Sequence, residues 1–153
     1  MRDWKKTFDD LSEDNKDKLA ILRVMECSNG VIQYSFRDGD PWALSPEETR
    51  KAMQFSMGCI KRMEIPLGET TITFDDETAA IFREVRELYM SGAKRGNDDD
   101  YQEFMKVSII MMNCLGKERI VRAKEILSNN ITEEQFPKDK LQWGVDYMLQ
   151  YIQ

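Results

Sequence analysis

Apolar residues recur every three or four positions through most of the chain, and the ends of these runs carry helix-capping and helix-stopping residues. The pattern predicts a series of amphipathic helices. Trp4 and Phe8 stand at helical spacing in a short first segment. Ser12 then caps a helix over 13–28 whose wide apolar face is Leu19, Ile21, Leu22, Val24 and Met25, with Asn29-Gly30 as its stop. Ser45, Pro46 and Glu48 spell a capping box and a favoured first residue for the next helix. Its expected stripe is Met53, Met57, Ile60 and Met63, widened by Phe55 and Cys59, and Pro66 with Gly68 ends it. Asp75 or Asp76 opens a helix that turns Ile81, Phe82, Val85, Leu88 and Tyr89 inward and stops at Gly92.

The segment 98–115 is apolar nearly all round beyond residue 106, so it is expected to be the central buried helix. A shorter helix follows, with Ile120, Val121, Ala123, Ile126 and Leu127 as its apolar set. Thr132 starts one more turn, and Pro137 opens a last helix running to Gln153. Period-two alternation in VIQYSF (31–36) and TTITF (70–74) predicts two short strands. They are expected to pair as a ribbon, because a lone strand leaves backbone groups unpaired. No repeat or long linker divides the chain. The expectation is one mainly α domain over 1–153, α+β only through a minor two-strand element, with its helices packed around 98–115.

With 153 residues, 41% hydrophobic and 33% charged, the chain is long enough to bury its own core. A net charge of -6 disfavours a protein that wraps nucleic acid, which normally shows a basic face. The 22 basic residues interleaved with 28 acidic ones also give too modest a field for a DNA mimic. Cys27, Cys59 and Cys114 are odd in number and far apart, which reads as reduced core thiols in a cytoplasmic setting. The charged N-terminal stretch lacks a leader's apolar core, and the longest nearly apolar run is 107–115. A span needs roughly twenty residues. No membrane partner is expected.

The chain has no histidine, which removes the side chain most used for proton transfer and for zinc. The acidic entry to 98–115, DDDYQEFMKV, resembles the exit of a calcium-binding EF-hand loop. If Glu103 takes the twelfth loop position, however, Gly92, Lys94 and Gly96 fall where oxygen ligands belong. Asp98, Asp99 and Asp100 are better read as first-turn anions, favoured there by roughly 0.3–1 kcal/mol each. Asp75, Asp76 and Glu77 are open to the same reading. A metal-dependent hydrolase built on these aspartate clusters is the third functional reading; no catalytic residue, metal site or cofactor is assigned.

Two surfaces remain. Lys117, Arg119, Arg122 and Lys124 form a basic cluster that could hold phosphates and carries the second reading, nucleic-acid binding. Glu118 stands four residues before Arg122, the order for an intrahelical ion pair. In the last helix Leu141, Val145, Met148 and Ile152 make one stripe, enough to dock it. Trp143, Tyr147 and Tyr151 make a second row beside it, of the residue types enriched at interfaces. The leading expectation is a non-enzymatic module, a regulator or inhibitor of the stand-alone kind found in viruses and mobile elements. It would bind another protein, or itself as a homodimer, through Trp143, Tyr147, Met148 and Tyr151.

Overall fold

The structure, a computed structural model, describes residues 2–153. Among them the chain forms seven α-helices and one antiparallel hairpin: α1 (Trp4–Asp9), α2 (Glu13–Arg37), α3 (Pro46–Arg62), β1 (Glu64–Leu67), β2 (Thr70–Thr73), α4 (Asp76–Tyr89), α5 (Asp98–Leu115), α6 (Lys117–Asn130) and α7 (Leu141–Leu149). A π-helical turn, Met90–Lys94, extends α4, and a 3-10 turn, Lys138–Lys140, leads into α7. The mainly α architecture follows the sequence pattern, and the caps lie where it puts them. Ser12, Ser45, Asp75 and Asn97 each accept a backbone N–H in the first turn, and Ser45 with Glu48 closes the full capping box.

Two helices share the centre of the fold. α2 packs against α3, α5, α6 and α7, and α5 against α1, α2, α4, α6 and the π-helical turn. Leu19, Ala20, Ile21, Leu22, Val24 and Met25 are all buried, so nearly a whole circumference of the helix is dry. Fully burying a large aliphatic side chain is worth roughly 1.5–3 kcal/mol, which puts much of the fold's stability on this one helix. α5 is amphipathic: Val107, Met111, Met112 and Leu115 are buried, while Ile109 and Asn113 face water.

The strand expected at 31–36 is helix. α2 runs through Asn29 and Gly30 without a break to Arg37, burying Ile32 and Ser35 on the face that already holds Ser28. The real partner of β2 is β1, in the register Glu64↔Thr73 to Leu67↔Thr70. Met63, in the left-handed conformation at φ 52°, turns the chain straight from α3 into β1. Gly68, at φ 63°, makes the two-residue hairpin turn, where a positive φ suits glycine.

α3 also turns a different face inward. Thr49, Ala52, Ser56, Cys59 and Ile60 are buried, whereas Met53 and Met57 are exposed. Small side chains allow α3 to lie close to α2, and the longer methionines are left outside. The last helix ends at Leu149, short of the expected Gln153.

Candidate protein-binding face

α7 is held against α2 by close approach. Ser28 donates its hydroxyl to Val24 O at 2.7 Å and meets Leu141 O at 3.3 Å, while Gly144 sits over the same turn. The two helices therefore run antiparallel, with Leu141 opposite Ser28 and Tyr147 near Arg23. Leu141, Val145 and Met148 are buried in the contact. Met148, expected at the binding surface, is 0% exposed and is corrected to core.

The aromatic row divides. Trp143 is half-buried beneath the Lys140 ammonium, 4.0 Å from its ring centroid. Tyr147 and Tyr151 form an edge-to-face pair with centroids 5.4 Å apart, and the Tyr151 hydroxyl donates to that of Tyr147 at 3.4 Å. Burial of its ring, together with this hydroxyl contact, pushes the Tyr147 phenol above its ordinary range. Tyr151 lies beyond the helix but is fixed. Asn113 of α5 donates to Tyr151 O at 2.8 Å and accepts from the Gln153 N–H at 3.1 Å, clasping the tail from both sides.

Beside this pair, α5 presents Tyr101, Met105 and Ile109, four residues apart and so on one face. Tyr101, Ile109 and Tyr147 are 40%, 37% and 37% exposed, with Met105 half-buried between its neighbours. A notch of about 30 Å³ lies where α2, α5 and α7 meet, walled by Met105, Ile109, Tyr147 and Tyr151 and reaching the buried Arg23 and Ser108. The Arg23 guanidinium is paired with Glu26, whose second oxygen stands 3.7 Å from Arg86 of α4. Sequence reasoning missed the α5 row because it took the helix as apolar all round. The signal was Asn113, which continues the four-residue series 101, 105, 109 and marks that side as outward.

Tyr34, at the end of α2, and Trp42, in the following loop, are exposed too. Phe36, two residues beyond Tyr34, is exposed as well, and Trp42 N–H donates to Asp40 at 2.8 Å.

The basic candidates do not form one surface. Arg119 donates through Nε to Asp17 at 2.8 Å and through Nη1 to Leu115 O at 2.8 Å, and it also pairs with Glu13. Arg122 reaches the same Asp17 at 3.1 Å instead of the expected Glu118. Burial acts to raise the Asp17 carboxyl, but the two guanidiniums outweigh it and hold it below its usual value. These arginines tie α6 to α2. Lys117 and Lys124 are left on α6 without ion pairs among the described residues.

The acids are placed at helix starts. Asp75 accepts from Thr78 N–H at 2.7 Å and from Asn15 at 3.0 Å, and Asp100 accepts from Ser91 at 2.5 Å. Among the described residues, no three carboxylate or thiol groups converge on one point. Cys114 donates to Asp9 at 3.1 Å, and burial with that carboxylate pushes its thiol up to about 11. Burial alone raises Cys59 to about 11 and raises Cys27 as well, so all three thiols are protonated at neutral pH. No described helix is long and apolar enough to cross a membrane. Comparison with protein-family models, with curated protein sequences and with solved structures returned no match.

Proposed function

We propose that this protein works by binding another protein through the face shared by α5 and α7, as a regulator or inhibitor without chemistry of its own. One observation carries the reading: Tyr147 and Tyr151 of one helix and tail stand beside Met105 and Ile109 of another, whose row Tyr101 continues along α5. The edge-to-face pair and the Asn113 clasp hold the tyrosines in place before any partner arrives. That lowers the ordering cost which otherwise erodes affinity. Trp143, under Lys140, belongs to the edge of the face. The cations of α6 give nucleic-acid binding no comparable support, since Asp17 holds two of them.

Ile109→Asp places a charge in the row at a partly exposed position, and the variant is first required to melt within about 2 °C of wild type. Affinity capture from the native cell, together with sedimentation over a range of concentrations, compares the two proteins. A partner or a self-associated species present with wild type and lost with the variant is expected. Identical capture and identical association by both would refute the assignment.

A further inference from the structure

A second surface contrasts with the first in its charge. α3 turns Gln54, Met57, Gly58 and Lys61 to one side, at helical intervals of three and four, and α4 faces them with Arg83 and Arg86. The groove between has a volume of about 510 Å³ and is open to solvent. That lies within the roughly 300–1,000 Å³ of small-molecule sites. Its floor is apolar: Met57, one of the methionines that α3 leaves outside, with the buried Ile60. Gly58 adds no side chain of its own there.

The rim is basic. Lys61, Arg62 and Arg83 enter no ion pair among the described residues. The Arg62 guanidinium folds back beside Gly58, 3.1 Å from where a Cβ would stand. Arg86 reaches Met57 Sδ at 3.5 Å and is only 3.7 Å from Glu26. No carboxylate lines the groove, although 28 of the 153 residues are acidic. With Lys61, Arg83 and Arg86 all lining the groove, the local field favours an anion.

We infer that this groove binds a small organic anion, with a flat apolar body on Met57 and Ile60 and a carboxylate, sulfonate or phosphate group facing Lys61, Arg83 and Arg86. Charge complementarity sets the sign of the occupant, and dimension sets its size. From residue 54 to residue 61 is seven helical steps, about 10 Å. That is the length of one fused ring system, not of a peptide helix of several turns. A nucleic-acid strand would use aromatic platforms for its bases, and none lines the groove.

The probe is 8-anilinonaphthalene-1-sulfonate, with N-phenyl-1-naphthylamine as its uncharged counterpart, titrated by fluorescence into the full chain. One saturable site for the sulfonate is expected in wild type. It should weaken about tenfold or more in the Lys61→Glu, Arg83→Glu double variant. Gly58→Leu, whose Cβ meets the far end of the flexible Arg62 side chain at 3.1 Å, should weaken it similarly by crowding the groove. Each variant is first required to melt within about 2 °C of wild type. The uncharged counterpart should bind more weakly and ignore the charge reversal, and Ile109→Asp should leave sulfonate binding unchanged. Absence of sulfonate binding, equal affinity in wild type and the charge-reversed variant, or loss through Ile109→Asp instead, would each overturn the inference. The last outcome would place the probe on the α5/α7 face.

Discussion

Gly144 sets how near α7 can come to α2. A Cβ built there would stand 2.1 Å from Ser28 Oγ, 2.6 Å from Ser28 N and 2.7 Å from Val24 O. The last two are backbone atoms of a buried helix and cannot swing aside. Gly144→Ala is therefore expected to destabilise the fold by ~1–3 kcal/mol, as overpacking does. In a chain of this length that lowers Tm by about 2–12 °C, read by circular dichroism. A melt indistinguishable from wild type would show that the helices stand farther apart. Sequence gave no hint of this position, because glycine carries no signal in a hydrophobic pattern. Met148 stood in both readings, in the docking stripe with Leu141 and Val145 and among the binding residues, and the close approach at Gly144 leaves it in the core.

At the scale of elements, α2 carries the largest departure from the sequence pattern. Asn29-Gly30 has the form of a helix stop, and VIQYSF alternates as a strand would. The helix continues because its contact face there is Ser28, Ile32 and Ser35, small or polar residues that permit close packing but hide helical periodicity. The inward face of α3, with Thr49, Ala52, Ser56 and Cys59, was hidden for the same reason. β1 escaped notice because Pro66 and Gly68 read as terminators, although proline is tolerated in a two-stranded edge. The N-capping residues and the apolar faces of α4 and α6, in contrast, were legible. Gly30 offers a direct check. It has ordinary helical backbone and nothing within 4 Å of a Cβ placed on it. Gly30→Ala should stabilise the protein by ~0.5–1 kcal/mol through backbone entropy and helix propensity. A loss of stability in urea titration would mean instead that the chain leaves the helix at this residue.

For the whole molecule, the absence of histidine and the raised thiols predict a broad plateau of stability. No side chain has an ordinary value between about pH 5 and 8 once histidine is gone, and Cys59 and Cys114 stand at about 11. Acid is different. The Thr78 backbone N–H, then its side chain and Asn15, hold the Asp75 carboxyl below its usual value, and Asp17 is likewise lowered. A carboxyl lowered on folding stabilises the fold above its unfolded pKa, about 3.9, and that stabilisation is lost as pH falls through the folded value. Tm should be flat from about pH 8 to 5.5 and decline below about pH 4. Asp75→Asn keeps a competent helix cap and removes the titrating group, so its acid decline should be shallower. A slope across the neutral range, or an acid limb unchanged by the substitution, would contradict this account.

The packing of residues 141–149 over residues 13–37 also bears on how the chain is made. Synthesis supplies the first helix of that pair well before its cover. Until residues 141–149 have emerged from the ribosome, the side of α2 that holds Val24 and Ser28 lacks its cover. Chains that stop short of residue 141 are thus expected to show chaperones and proteases a greasy side that the α2/α7 contact conceals.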